Sequence, residues 1–378
     1  MTCVRSSPSR FSLTLACAMT LGGCSDADAP PVREDASPMD APPSEAGADV
    51  LTPEVMSLDA ADPDATTQAD ASTDTGAAPA DALAPEPWRS LRCGLNVNAI
   101  WGSGPDDVYI ASRAGLLRLR GASLTTEVPG ASANGVWGRS ATEVYAIIGL
   151  EVRVSRGDGV WRPHSTFPTG AFSSGGLTGS ASSLYALVGD NGGHVSAHQY
   201  AAAGGWSPLR SGRRDDAAIW VAQEGEIYVG GLGRDPVSHW RDGALTGATR
   251  GGFPALFDGD RRGRSVWGSA PTDVYLLVRS DLAEEGVGLY HSDGTDVWTR
   301  LAEPALRLRS AISTGPIRVW GTGPTDVYVA EDEGRLWHFD GRAWSSEEVP
   351  EAATIRAIWG STDGTLLLGG ECLHRRRR

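Results

Sequence analysis

Hydrophobic and polar residues alternate in short runs from Trp88 to the end of the chain, and residues 317–344 hold one complete unit of this pattern. Asp326–Ala330 (DVYVA) and Arg335–Phe339 (RLWHF) alternate with a period of two, which is typical of strands. Asp340 and Gly341 follow them and predict a hairpin, because a type I′ turn needs positive φ at both central residues. The unit therefore predicts a four-stranded antiparallel meander.

The same unit recurs along residues 88–378, and a Trp marks most of its first strands. These first-strand residues are Trp101, Trp137, Trp220, Trp267, Trp320 and Trp359. The first five have a Tyr eight residues later, and Leu367 takes the place of that Tyr in the last unit. A degenerate third unit has Thr178 in place of Trp, with Tyr185 seven residues later. A period of 36 to 53 residues with four short strands predicts a propeller rather than a helical solenoid. We therefore predict an all-β, seven-bladed β-propeller of four-stranded antiparallel blades.

The segment around Trp88 indicates how the ring closes. PWRSLRC precedes the first unit but matches the openings of fourth strands, whereas the last unit ends without a fourth strand. The simplest arrangement is that this N-terminal strand completes the last blade, which removes the free sheet edges. The resulting register places Cys372, at the start of a third strand, beside Cys93, at the end of the borrowed strand. It predicts a disulfide; two unrelated free thiols are the alternative.

The N-terminus has the pattern of an export signal. Residues 1–23 contain Arg5 and Arg10, then an apolar run from Phe11 that is too short to span a bilayer. The run ends Leu-Gly-Gly-Cys24, which resembles a bacterial lipobox. The resemblance implies a signal peptide over residues 1–23, cleavage before Cys24 and lipidation of its thiol. Ser25 after the Cys, rather than Asp, favours export to the outer membrane. An ordinary secretory signal with an incidental Cys is the alternative.

Residues 24–87 form an acidic segment rich in Ala, Pro and Asp. Eleven Asp and four Glu stand against one basic residue, Arg33, which accounts for the net charge of −14 of the whole chain. A segment this polar and this poor in aromatic residues cannot bury enough surface to fold, so we predict a disordered tether. It would lift the domain at residues 88–378 off a membrane. A tolerated low-complexity insert is the other interpretation.

The chain contains no Gly-x-Ser-x-Gly, His-Glu-x-x-His or phosphate-loop motif. Asp and Glu residues near the first turn, such as Asp107, Asp273 and Asp326, recur once or twice in each unit and are interpreted as turn caps. Four histidines are assigned to one equivalent third-strand position, namely His239, His291, His338 and His374. The symmetry of the ring would spread them around the rim, which argues against a shared set of metal ligands. We expect no metal and no cofactor.

Arginines cluster in sequence around the last three blades. They are Arg261, Arg262, Arg264, Arg307, Arg309, Arg318 and Arg356. The variable second–third loops and fourth–first connections of a propeller emerge on one face, where binding function usually resides. These arginines indicate an anionic partner on that face. Scattered solvated arginines are the alternative, because the chain has no Lys and every cationic side chain other than His is therefore Arg.

Three segments carry a resemblance to known repeats, namely WGSGPDDVY, WGSAPTDVY and WGTGPTDVY. They resemble the W-G-x-x-P-x-D-V-Y propeller repeats of secreted and lipid-anchored bacterial proteins, which are distant in style from WD and kelch repeats. The resemblance covers residues 88–378 and implies a binding function. We expect a monomeric module on the outer membrane, facing the periplasm or the cell surface. Its partner would be an unknown protein or glycan, with no role in nucleic-acid binding.

A glycan-acting hydrolase or lyase with a site at the channel mouth is the rival function. Such an enzyme needs acidic groups or histidines that converge from several blades. The first strands are mostly apolar, and their polar exceptions are Asn98, Asn134, Arg264, Arg318 and Arg356. These residue types favour a non-enzymatic recognition or scaffold module, and they leave catalytic activity an open question.

Overall fold

The computed structural model describes residues 86–168, 171–210, 215–233, 236–248, 261–280, 287–301, 318–331, 334–350 and 354–377. Cys24 and residues 24–85 of the tether lie outside these ranges. The described residues form 28 β-strands. No helix in them is long and apolar enough to cross a membrane.

The strands form seven antiparallel blades, each of four strands, as the repeats predict. Blade 1 contains β2 (Val97–Gly104), β3 (Asp107–Ser112), β4 (Gly115–Arg120) and β5 (Ser123–Pro129). Blade 2 contains β6 (Ala133–Ser140), β7 (Glu143–Ile148), β8 (Glu151–Ser155) and β9 (Trp161–Thr166). Blade 3 contains β10 (Ala171–Gly179), β11 (Leu184–Asp190), β12 (Val195–Ala201) and β13 (Gly205–Pro208). Blade 4 contains β14 (Asp216–Gln223), β15 (Glu226–Gly233), β16 (Val237–Arg241) and β17 (Ala244–Ala248). Blade 5 contains β18 (Arg261–Ala270), β19 (Asp273–Ser280), β20 (Val287–Ser292) and β21 (Thr299–Arg300). Blade 6 contains β22 (Arg318–Gly323), β23 (Asp326–Ala330), β24 (Arg335–Phe339) and β25 (Trp344–Glu348). Blade 7 contains β26 (Ile355–Gly360), β27 (Leu366–Gly370), β28 (Leu373–Arg376) and β1 (Arg89–Arg92).

The register confirms the alignment of the repeats. Trp101 pairs with Tyr109 across β2 and β3, and the equivalent Trp and Tyr pair in blades 2, 4, 5 and 6. In the degenerate third blade Thr178 pairs with Tyr185. Blades 4 and 5 are also joined to each other, because the end of β15 pairs with the start of β18.

Hydrophobic packing lies between the blades. The described residues contain seven clusters of buried apolar side chains, and each cluster joins two neighbouring blades. Val97 and Ile110 of blade 1, for example, pack with Leu367 and Leu373 of blade 7. The ring therefore has a core at every interface, including the interface between the first and the last blade.

The Trp-Gly pair of the repeat is an inter-blade contact. Each first-strand Trp lies on the Gly that follows the equivalent position in the next blade, so a Cβ at that Gly would come within 2.5 to 3.0 Å of the ring. These contacts are Trp359 on Gly102, Trp101 on Gly138, Trp137 on Gly179, Trp220 on Gly268, Trp267 on Gly321 and Trp320 on Gly360. Because carbon atoms prefer to lie about 3.5–4.0 Å apart, any other residue would force the indole to move.

The interface between blades 3 and 4 lacks the Trp-Gly contact, because both residues of the contact are replaced. Blade 3 has Thr178 where the other blades have Trp, and blade 4, which follows it, has Val221 where the others have Gly. The small side chain in blade 3 leaves space, and the larger side chain in blade 4 occupies the position that a Trp ring would otherwise exclude. The two substitutions are therefore complementary.

The closure of the ring agrees with the sequence-based prediction. Strand β1 pairs antiparallel with β28, and Cys93 and Cys372 form a disulfide. Next to the disulfide, the Leu95 amide donates a hydrogen bond of 2.9 Å to the Glu371 carbonyl. The guanidinium of Arg376 lies 4.5 Å from the Trp88 ring centroid. The borrowed strand is thus held by ladder bonds, a covalent link and a cation–π contact.

Candidate functional site

The first strands of five blades contain the same irregularity, a β-bulge three residues before the recurring Trp. The extra residues are Asn98, Asn134, Ala217, Arg264 and Arg356. A bulge changes the direction of a side chain. All five residues line one cavity of about 330 Å³, into which Arg318 of blade 6 also projects. The cavity lies where the first strands begin, at one mouth of the central channel.

Arg318 differs from the other arginines in its place on the strand. It pairs with Ala330, one position beyond the bulge site. The equivalent positions hold small residues in the other blades whose first strands are fully paired there: Ala99, Gly135, Ala218, Ser265 and Ala357. Arg318 is half-buried in this position. Burial and the charges of Arg264 and Arg356 lower the pKa of Arg318 to about 10, so it remains protonated at neutral pH.

Hydrogen bonds between blades fix the arginine positions. The Ser265 hydroxyl accepts a hydrogen bond of 3.1 Å from the Val319 amide, so the residues that follow Arg264 and Arg318 are joined. Arg318 Nε donates a hydrogen bond of 2.9 Å to the Arg356 carbonyl. Blades 5, 6 and 7 each contribute one guanidinium to the same cavity, and these two bonds limit how far the strands that carry them can separate.

The remaining walls of the cavity are different. Asn98 Nδ2 donates to the Ala133 carbonyl at 2.9 Å, and Asn134 Oδ1 accepts from the Ser132 hydroxyl at 3.0 Å. These bonds orient the two amides of blades 1 and 2. Blades 3 and 4 contribute small or apolar residues, including Gly175, Leu177 and Ile219. No Asp, Glu or His is among the described residues that line this cavity.

A second cavity of about 410 Å³ continues from the arginines along the channel. It shares Arg318 and Arg356 with the first, and all six first-strand Trp residues contribute to its wall. Five of these indoles are half-buried, since their faces pack against neighbouring blades while part of each ring borders the channel. Packing is thus the main role of these Trp residues, as the sequence indicates, but they also give the channel an aromatic lining.

The structure places the sequence-predicted arginines unevenly. Arg264, Arg318 and Arg356 converge on the cavity. Arg261 and Arg262 lie in the part of β18 that pairs with β15. Arg307 and Arg309 lie outside the described residues.

The carboxylates of the repeat hold the third strands rather than only capping turns. Asp107 accepts from Arg118 Nε at 2.6 Å, and the equivalent Asp273 and Asp326 each lie 2.8 Å from the Nε2 atom of a third-strand His. The partner side chain also lies against the Tyr of the same blade, with the Arg118 guanidinium 4.5 Å from the Tyr109 ring centroid. These polar groups serve the interior of each blade and lie at the end of the first strand opposite the cavity.

One histidine assignment is wrong. His239, His291 and His338 each pair with the Tyr of the second strand. His374 pairs with Leu368, and Arg375 takes the equivalent position opposite Leu367. The basic tail LHRRRR allows either alignment in sequence, and only the ladder of β27 and β28 distinguishes them. No cluster of three or more potential metal ligands occurs among the described residues.

A third cavity, about 510 Å³, lies between blades 4 and 5 at the end opposite the arginines. Its Glu226 lies 2.9 Å from His239 Nε2 and 3.2 Å from Arg241 Nε. The other ring nitrogen of His239 lies 2.5 Å from Asp296. The carboxylates of Glu226 in blade 4 and Asp296 in blade 5 thus hold the buried imidazole between the two blades.

Known proteins resemble this chain in fold but not in sequence. No protein-family model and no curated protein matches the chain. The extracellular domain of BT4673 from B. thetaiotaomicron has a similar structure, with a TM-score of 0.58 and 14% identity. That match covers 78% of this chain but only 40% of the other. The WD40 propeller domain of Doa1 gives a TM-score of 0.56 at 13% identity, covering 76% of this chain and 96% of that domain. YCF48, solved with a bound D1 peptide, gives 0.50 at 13% identity and covers 77% of this chain and 97% of that one.

Proposed function

We propose that this protein is a non-enzymatic recognition module, exported and lipid-anchored through Cys24, that binds its ligand at the arginine-bearing mouth of the propeller channel. The observation that supports this most is the composition of the cavity wall. Arginines and asparagines from five blades meet there, and the described wall holds no carboxylate or imidazole that could act as a general acid or base. Guanidinium and amide groups bind and orient a ligand without acting as proton donors or acceptors in a reaction.

Export is supported by the disulfide at the closure of the ring, because disulfides persist in oxidising compartments. The acidic segment would then act as a stalk between the lipid and the propeller, with the ligand-binding face free of the membrane. The similar structure of an extracellular bacterial domain is compatible with this location.

The recognition function is tested with the purified full-length protein on a glycan array and a peptide array. We expect the wild-type protein to bind one class of ligand on an array and Arg356→Gln to weaken that binding. Mass spectrometry after long incubation should show that the bound ligand is chemically unchanged. Cleavage of a retained glycan, lost in the same variant, would show instead that the channel mouth belongs to a hydrolase or lyase.

The anchor is tested independently. Cys24→Ala should leave an unprocessed or soluble protein, whereas the wild-type chain should partition into the detergent phase, because stable anchoring needs two or more acyl chains. Inhibition of signal peptidase II should accumulate the precursor. Recovery of the wild-type protein in the aqueous phase, with an N-terminus at or beyond Ser25, would contradict the proposal.

A further inference from the structure

We propose that the propeller channel binds a small organic anion, whose carboxylate or phosphate group lies between Arg264, Arg318 and Arg356 and whose apolar body enters the tryptophan-lined part of the channel. The proposal rests on the recognition function above and specifies its ligand. It is carried by two observations that are independent of each other, the convergence of the arginines and the aromatic cavity that continues from them.

The arginine geometry favours an oxyanion. A guanidinium is a planar fork of donors that matches carboxylate and phosphate oxygens, and three forks from three blades surround the same space. Arg318 stands where the other comparable blades have Ala, Gly or Ser, although partial burial and two nearby positive charges disfavour a cation there. Packing alone would be better served by a small residue. An anion between the guanidiniums would offset both the burial and the mutual repulsion.

The second cavity favours an apolar or aromatic body. Arg318 and Arg356 border both cavities, so a group held by them is adjacent to the indole-lined channel. The parts of the indole rings that border the channel offer apolar contacts to planar molecules. The two cavities, about 330 and 410 Å³, fall at the lower end of the range for small-molecule sites. Their size fits a small molecule or a single side chain better than a folded partner.

The amide wall adds a preference for ligand polarity. Asn98 and Asn134 are held by their own hydrogen bonds in the part of the cavity wall formed by blades 1 and 2. Each amide keeps one further group for a ligand, the oxygen of Asn98 and the nitrogen of Asn134. A hydroxyl or amide substituent on the ligand would find a partner there.

The test is calorimetric titration of the full-length protein with benzoate, phenyl phosphate, acetate, inorganic phosphate and neutral benzamide. Intrinsic tryptophan fluorescence is a second readout for acetate and phosphate, because six indoles line the channel. We expect at least one aromatic anion to bind, more tightly than its head group alone, with benzamide showing no binding. Tighter binding of benzoate identifies a carboxylate ligand, and tighter binding of phenyl phosphate identifies a phosphate ligand.

Matched variants assign the site. Arg356→Gln should weaken binding by roughly tenfold or more, since a hydrogen bond to a charged group is lost. Arg356→Lys should restore it only in part, because the fork is missing. Arg342→Gln removes the same charge from an exposed turn at the opposite end of the blades and should bind like the wild-type protein. Thermal unfolding of each variant checks that the propeller is intact.

Equal binding of benzamide and benzoate, equal loss in the Arg342 and Arg356 variants, or no binding of any of the anions would overturn the inference. If arrays show a macromolecular ligand while every small anion fails, this inference is wrong and the recognition function stands. If the arrays also fail, both are wrong.

Discussion

The complementary pair at the interface of blades 3 and 4 makes a quantitative prediction about the other interfaces. Blade 1 and blade 2 meet at Trp101 and Gly138, where a Cβ on the glycine would lie 2.5 Å from the indole and would have atoms of that indole as its three nearest neighbours. We expect Trp101→Thr and Gly138→Val, the residues found at Thr178 and Val221, to be destabilising singly and to compensate each other when combined.

The magnitudes follow from the packing. Gly138→Val places carbon about 1 Å inside normal contact distance, and overpacking of this kind costs about 1–3 kcal/mol. Truncation of a fully buried Trp costs about 3–5 kcal/mol, and the half-buried Trp101 should cost roughly half of that. In the double variant the valine methyls fill part of the space that the indole leaves. The coupling free energy between the two sites should therefore be about 1–3 kcal/mol in favour of the pair.

The assay is urea unfolding of the full-length protein for the two single variants and the double variant. Trp320→Thr combined with Gly138→Val is the matched control, because Trp320 packs on Gly360 in a different interface, and its effects should add to within about 0.5 kcal/mol. Additive behaviour of the Trp101 and Gly138 pair, equal to that of the control, would refute the explanation of the Trp-Gly repeat given above.

Two further predictions concern the seam and the carboxylates. Reduction of the Cys93–Cys372 disulfide, which spans a sequence separation of 279, should lower the free energy of unfolding by ~2–4 kcal/mol with no loss of β content at moderate temperature. The Cys93→Ser, Cys372→Ser double variant should be as unstable as the reduced wild-type protein, and reductant should not change its stability. Equal stability of the wild-type protein with and without reductant would count against a role for the bridge. Burial alone would raise the pKa of Asp107, but hydrogen bonds from Arg118 and Ser103 lower this pKa below its usual value. The ionised carboxylate therefore stabilises the fold at pH values above the unfolded-state pKa of about 4. This stabilisation is lost as the pH falls through the folded-state pKa. Asp107→Asn, which weakens the support of the buried Arg118, should cost about 1–3 kcal/mol at pH 7 and progressively less below about pH 4; a difference in urea midpoints that does not change with pH would contradict this sign.

Much of the fold follows from the sequence because each blade is a local unit. The alternation of DVYVA, the Asp-Gly turn and the spacing of Trp101 from Tyr109 each report contacts within some twenty residues. Closure was also predictable, because the unmatched strand at Trp88 and the two cysteines compensate for the missing strand of the last blade. The position of His374 was not, since a one-residue shift in a run of basic residues changes no sequence pattern.

The candidate site was visible only in part. Asn98, Asn134, Arg264, Arg318 and Arg356 stood out as polar residues in apolar first strands, and all of them reach the cavity. Their convergence depends on bulges and on the closed ring, and neither leaves a signal within one repeat. The unusual environment of Arg318 could have been found by aligning the first strands, because it is the large residue at a position that is small in the comparable blades.

The Trp-Gly contact also restricts how this chain could be rearranged by duplication or recombination. Each interface is encoded by residues in two different repeats, so the unit that can be copied safely is defined by compatible neighbours and not by the blade itself. Blade 4, with Val221, tolerates only a predecessor that lacks the tryptophan, and in this chain that predecessor is blade 3, with Thr178. Blades 3 and 4 should therefore be inherited, inserted or deleted together, and a gene that exchanged one of them alone would encode a ring with either a clash or a gap.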